Sequence, residues 1–95
     1  MSKLSIAVIG AGLIGITHID RALKSPDFEL VGIADPTPAA AELARTLGIP
    51  CFPDYQSLLA QARPRAVVVA TPNVTHAQIT VDCLEKGAAV WSKNP

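Results

Sequence analysis

Residues 4–24 read LSIAVIGAGLIGITHIDRALK. Leu4 to Ile9 is a short apolar run rich in β-formers, the pattern of a strand buried on both faces. Gly10-Ala11-Gly12-Leu13-Ile14-Gly15 follows at once and fits G-x-G-x-x-G. Leu13 to Lys24 then takes a helical period, with Ile16, Ile19 and Leu23 on one face and Asp20, Arg21 and Lys24 on the other. Each glycine of such a strand–turn–helix has a mechanical task. Gly10 permits the tight turn, Gly12 lets a pyrophosphate approach the backbone, and Gly15 lets the helix pack close to the strand. The helix start offers free N–H groups and a positive dipole end to phosphates.

Outward from this unit, Ser25, Pro26 and Asp27 break the helix, and Phe28 to Ala34 form a second strand. Asp35 ends that strand about twenty residues after the last glycine, the place of the acidic residue in a dinucleotide fingerprint. Its carboxylate can accept hydrogen bonds from adenosine ribose hydroxyls and would repel the extra phosphate of NADP. No arginine follows directly, so the residues predict NAD rather than NADP. Dinucleotide-binding roles are assigned to Gly10, Ala11, Gly12, Leu13, Ile14, Gly15 and Asp35.

The rest of the chain repeats the alternation. Thr37 caps a helix with Pro38 at its first position. Ala40, Leu43, Ala44 and Leu47 form its apolar stripe, and Gly48 followed by Pro50 stops it. Cys51 and Phe52 form a short third strand, and Asp54 caps a helix over Gln56 to Ala62. Ala66 to Ala70 is a central strand. Thr75 with Gln78 reads as a capping box, placing Ala77, Val81 and Leu84 inward and Gln78, Asp82 and Glu85 outward until Gly87. Ala88 to Trp91 starts a fifth strand. The order predicts an α/β fold of Rossmann type: a doubly wound parallel sheet with right-handed crossovers, strand order 3-2-1-4-5, and a ligand crevice where strands 1 and 4 diverge.

Composition bounds the partners. The 95 residues suit one small domain, and at 49% hydrophobic and 17% charged they suit a packed core. Lys and Arg number 8 against 8 for Asp and Glu. With no basic run or stripe, a nucleic-acid partner is not expected. Cys51 and Cys83 have no metal-ligand spacing and read as reduced apolar residues; no metal site is expected. The apolar start carries glycines and lacks a small-residue cleavage site, so it reads as a buried strand rather than a leader. It is too short to span a bilayer. The expected location is cytoplasmic, with no membrane partner.

Thr71-Pro72-Asn73 follows strand 4 at its carboxyl end, beside the predicted crevice. Asn73 suits an ordinary loop or a cofactor contact equally well. His76, in the first turn of the next helix, can be a solvated side chain or a neighbour of the cofactor; His18 reads as structural. No Ser-His-Asp set, paired carboxylates or metal cluster stands out.

The glycine fingerprint, V-G-I-A-D-P at Val31 to Pro36 and A-T-P-N-V-T-H at Ala70 to His76 together resemble the glucose–fructose oxidoreductase / inositol dehydrogenase family over nearly the whole chain. The resemblance implies hydride transfer between NAD(P) and a sugar- or cyclitol-like compound. It also implies cofactor contacts along Thr71, Pro72, Asn73 and His76, and a second, α+β domain holding most of the substrate site. In the family, Glu-Lys-Pro follows the fifth strand and its lysine is catalytic. Counted from Gly87, this chain has Lys93-Asn94-Pro95 there, so Asn94 stands at the lysine position and Lys93 is a weak catalytic candidate. Deleting one base from the leucine codon of Val-Leu-Val-Glu-Lys-Pro yields Val-Trp-Ser-Lys-Asn-Pro, the sequence from Val90 to Pro95. An out-of-frame tail on a broken dehydrogenase gene and a short chain using Lys93 are the two expectations for this ending. On either, residues 1–95 form a dinucleotide-binding domain, incomplete after strand 5, without the substrate domain. It binds cofactor without turnover and self-associates through the exposed sheet edge. Rival readings are a non-enzymatic NAD-binding regulatory module and, less well matched by the glycine spacing, a methyl-donor-binding Rossmann protein.

Overall fold

A computed structural model describes residues 3–71 and 73–92, without the side chains of Leu13, Asn73, Val74 and Ser92. Nine elements alternate along it. They are β1 (Leu4–Ile9), α1 (Leu13–Lys24), β2 (Phe28–Ala34), α2 (Pro38–Leu47), β3 (Cys51–Phe52), α3 (Tyr55–Ala62), β4 (Ala66–Val69), α4 (Asn73–Glu85) and β5 (Ala89–Ser92). The strands form one five-stranded sheet in the order β3-β2-β1-β4-β5, with every pairing parallel. The chain reverses direction across the sheet between β1 and β4. The loops leaving these two strands therefore diverge and open a crevice at their carboxyl ends.

The sheet separates two apolar layers. Ile6 and Val8 of β1 point to one face, against Ile19 and Ala22 of α1 and Ala44 of α2. Ala7 and Ile9 point to the other, against Leu58 and Leu59 of α3 and Ile79 and Cys83 of α4. Among the described residues, every buried one named in these layers is apolar and no polar or charged residue is buried. Cys51 and Cys83 are free thiols on opposite faces of the sheet, as their reading as apolar residues expects.

Local chemistry sets the element ends. The Thr37 hydroxyl accepts from the Ala40 N–H at 3.3 Å, capping α2 behind Pro38. Gly48 closes that helix in the left-handed region at φ 72°. Asp54 accepts from the Ser57 N–H at 2.7 Å, capping α3, which starts at Tyr55, one residue before the expected Gln56. β4 ends at Val69 and β5 runs from Ala89, each shifted by one residue from its expected bound.

Two helix faces differ from expectation. On α1, Ile19 is buried as expected, but Ile16 and Leu23 are half exposed (46% and 47%) and Ala22 is buried instead. The helix is drawn onto the sheet by Gly15, and the residues sharing Gly15's face, Ile19 and Ala22, go inward with it; Ile16 and Leu23 are rotated to the rim. α4 begins at Asn73, so Thr75 lies within its first turn and the predicted capping box does not form its cap. Gln78 instead donates to Asp82 at 2.9 Å. Ile79 and Cys83 form the buried stripe of α4, and Ala77, Val81 and Leu84 face outward. The helix carries two apolar stripes of equal period, and contact with β4 and β5 selects the one with Cys83, whose small side chain allows close packing.

Across the α3–α4 layer, the Tyr55 hydroxyl donates a hydrogen bond to Asp82. That hydrogen bond, with burial and the Asp82 charge behind it, pushes the Tyr55 phenol up to about 12. Leu58 of α3 has no exposed surface. Leu58→Ala is expected to cost about 2–5 kcal/mol through lost contacts and the cavity left behind. Urea unfolding should show a lower midpoint with an unchanged slope.

Candidate functional site at the carboxyl end of the sheet

The site is assembled by the ends of three neighbouring strands. Gly10 leaves β1, Asp35 leaves β2, and Ala70 and Thr71 leave β4. The Gly10 N–H donates to the Ala34 carbonyl at 2.8 Å and the Ala70 N–H to the Ile9 carbonyl at 2.8 Å, so the sheet's hydrogen bonding runs into the turn and holds it in place. Between these ends lies a cleft of about 640 Å³ lined by Gly10, Ala11, Gly12, Ile14, Asp35 and Thr71, among others.

The three glycines are required for three different reasons. Gly10 sits at φ +96°, where L side chains are strained, and a Cβ there would lie 2.9 Å from the Ala70 carbonyl oxygen. A Cβ on Gly15 would lie 1.9 Å from the Gly10 carbonyl oxygen, an overlap no rotamer relieves; Gly15 is a packing glycine. Gly12 differs. It has an ordinary φ of −75° as the N-cap of α1, and, among the described residues beyond its chain neighbours, a Cβ there would meet no atom within 4 Å. Neither the backbone nor the packing calls for glycine at this position. The open space above it is the approach a phosphate needs to reach the first N–H groups of α1, where no side chain caps the helix.

Asp35 borders this space. Its Oδ2 accepts from the Ala11 N–H at 2.8 Å, and its Oδ1 accepts from the Thr37 N–H at 2.8 Å and the Thr37 hydroxyl at 2.6 Å. Burial pushes its pKa up, but the hydrogen bonds from Thr37 and Ala11 outweigh it and hold the carboxyl below its ordinary value. The neighbouring Cys51 thiol, pushed up by burial and by the Asp35 charge, stays protonated near neutrality.

Thr71 lines the cleft. Its Oγ1 and the Nε2 of half-buried His76 are buried without a hydrogen-bond partner, which costs free energy unless something else pairs with them. His76 sits in α4 and its carbonyl accepts from the Thr80 hydroxyl at 2.8 Å; the ring is not among the groups lining the cleft. Asn73 opens α4, and its side chain, like that of Leu13, is outside the description. Pro72, Lys93, Asn94 and Pro95 lie outside the described residues. His18 lies on α1 beside Phe28, Val68 and Trp91, away from the cleft. Pro36, Pro53, Asp54, Tyr55 and Ile79 also line the cleft, and none of them was assigned a site role from the sequence. The rule that ligands sit beyond the carboxyl ends of strands points to residues 53–55, directly behind β3. Among the described residues, no group of three or more His, Cys, Asp or Glu could hold a metal, and no helix is long and apolar enough to cross a membrane.

A parallel sheet in this order, a glycine turn opening α1 and an acidic residue closing β2 define the class of NAD-binding Rossmann domains. The match to known proteins names the family: residues 4–95 fit the profile GFO_IDH_MocA, described as an oxidoreductase family with an NAD-binding Rossmann fold, and the chain belongs to it. It is 32% identical over 95 residues to inositol 2-dehydrogenase of Rubrobacter xylanophilus, covering 98% of this chain and 27% of that protein. It is 33% identical over 96 residues to scyllo-inositol 2-dehydrogenase (NAD(+)) of Bacillus subtilis, covering 98% and 28%. The structure of scyllo-inositol dehydrogenase from Lactobacillus casei with bound NAD(H) and scyllo-inositol superposes with a TM-score of 0.89 at 26% identity, covering 96% of this chain and 28% of that one. The chain thus spans less than a third of the length of these relatives.

The glycines separate fold from binding. Gly15→Ala should destabilise the chain by several kcal/mol, about 3 or more, because backbone must move to admit the methyl. Gly12→Ala should keep stability within about 1 kcal/mol and still remove dinucleotide affinity. Thermal unfolding and cofactor titration of both variants check this; an unfolded Gly12→Ala chain, or one that binds as wild type does, would contradict it.

Proposed function

We propose that residues 1–95 are the dinucleotide-binding domain of an oxidoreductase that moves a hydride between NAD and a cyclitol- or sugar-like hydroxyl compound. The observation that carries this reading is Gly12, an exposed position that is glycine without any demand from backbone or packing, set between a helix start and an ionised carboxylate. The pyrophosphate would take the N–H groups of Gly12, Leu13 and Ile14, and Asp35 would accept from a ribose hydroxyl. Ala11 belongs to the same turn. Thr71, with Pro72, Asn73 and His76, would follow the cofactor toward its nicotinamide end, and the unpartnered Thr71 Oγ1 and His76 Nε2 are groups that such a neighbour could satisfy. The nicotinamide itself supplies the hydride chemistry; the chain's part is to bind and orient it.

NAD is preferred over NADP because the cleft wall presents Asp35 and, among the described residues, no Lys or Arg; a 2′-phosphate there would face an anion with no cation to offset it. The likeness to inositol dehydrogenases supports reading the hydride partner as a cyclitol- or sugar-like hydroxyl compound. Because the chain spans only a fraction of their length, residues 1–95 alone are expected to bind cofactor without turnover. A cytoplasmic location suits an NAD-linked enzyme. β5 is one of the two outer strands of the sheet, with Trp91 49% exposed and stacked edge-on to Phe28 at 5.6 Å. Self-association at this edge is the corresponding expectation.

Calorimetric titration with NAD and NADP tests the reading. Saturable NAD binding, weaker for NADP and at least about tenfold weaker in Asp35→Ala, is expected. A folded chain that takes up neither dinucleotide would overturn it.

A further inference from the structure

We infer that Thr37 is the positioning residue of this site: its hydroxyl, fixed between the start of α2 and Asp35, holds the Asp35 carboxylate against the glycine turn in the orientation that meets the ribose. The inference rests on the cofactor reading of the cleft and names the residue that prepares its acidic group.

A threonine hydroxyl has one proton to donate. In Thr37 the oxygen accepts from the Ala40 N–H at 3.3 Å and the group donates to Asp35 Oδ1 at 2.6 Å. The α2 cap thus leaves the proton one place to go. Asp35 Oδ1 also receives the Thr37 N–H at 2.8 Å, and Oδ2 receives the Ala11 N–H at 2.8 Å. The carboxylate therefore ties three segments together: the end of β2, the start of α2 and the glycine turn. An ionised carboxylate has about four acceptor directions, and three donors already occupy it, leaving about one for a ribose hydroxyl. Recognition is then a single directed hydrogen bond to a carboxylate that cannot swing. The committed Thr37 proton is also withheld from a 2′-phosphate, which adds to the preference for NAD.

The electrostatics agree. Removing the Thr37 hydroxyl removes the largest of the interactions that lower the Asp35 pKa, so the carboxyl of such a variant titrates higher. Binding needs the charged form, and affinity is lost as pH falls through the Asp35 midpoint; in the variant that loss begins at higher pH. The other titratable groups facing Asp35 are Cys51 of β3, whose thiol approaches the Asp35 carbonyl at 3.9 Å, and Asp54 and Tyr55, which line the same cleft from the start of α3. Cys51 and Tyr55 are both pushed up and stay neutral near neutrality, while Asp54 is lowered by its bonds to Ser57 and titrates in the acid range. The Asp35 midpoint must for that reason be read at its own carboxyl.

The test uses the whole chain with Thr37→Gly and Thr37→Ser. Glycine is tolerated at an N-cap and keeps the backbone N–H that bonds Asp35; serine restores the hydroxyl. Carboxyl NMR titration reads the Asp35 midpoint in the free protein, and calorimetry reads NAD affinity. Thr37→Gly should raise the midpoint and weaken NAD binding about tenfold, as for one hydrogen bond to a charged group, and Thr37→Ser should return both toward wild type. An unmoved midpoint overturns the inference, as does unchanged NAD affinity in Thr37→Gly. If wild type itself binds no NAD, the cofactor reading falls, and the Asp35 midpoint alone still decides whether Thr37 positions the carboxylate.

Discussion

The structure depends on how closely α1 lies on the turn that leaves β1. A single methyl on Gly15 would fall 1.9 Å from the Gly10 carbonyl oxygen, so the helix and the turn touch backbone to backbone. That contact fixes the direction of α1, and with it the side of the helix that is buried: Ile19 and Ala22 follow Gly15 onto Ile6 and Val8 of the sheet. It also points the uncapped start of the helix into the crevice between β1 and β4. The same short distance that packs the domain builds the end of the cleft at the helix start. Fold and site are one constraint at Gly15 and separate at Gly12, where a Cβ would meet no close contact.

The cleft is tied from the other side by Asp35. Its carboxylate closes the gap between the end of β2 and the glycine turn through Ala11, and Thr37 joins it to α2. A charged group in such a position would be costly if unpaired. Here each oxygen has a donor, so the group stays ionised, oriented and partly open to solvent. Its neighbours Cys51 and Tyr55 are held in their neutral forms, which keeps the charge of this wall concentrated on carboxylates.

Much of this was legible in the sequence because the decisive signals are local. A glycine turn after a β-rich run, an acidic residue at the end of the next strand, Thr37 before Pro38 and Gly48 before Pro50 each act within a few residues, and the strand order follows from alternation and handedness. The inward faces of α1 and α4 were not legible in the same way. Both helices carry two apolar stripes, and the choice between Leu23 and Ala22 beside Ile19, or between Val81 and Cys83, is made by how near the sheet lies, which periodicity does not encode. Thr75 looked like a cap because Gln78 follows it, yet α4 starts at Asn73 and Gln78 serves Asp82. Tyr55 and Ile79 reach the cleft wall only through tertiary packing, and Thr37, read as a cap, showed its second bond only once Asp35 was placed beside it.

The central claim is that the α1 start and the Asp35 carboxylate form one dinucleotide seat. Amide chemical-shift mapping by NMR during NAD titration tests it most directly. The account predicts that the largest shifts fall on residues 10–15, on Asp35 and Thr37, and on Thr71, while Arg63, Arg65 and Lys86, at the cavity bordered by Gly87, stay still. Shifts centred on that second cavity, or none at all from a folded chain, would contradict it.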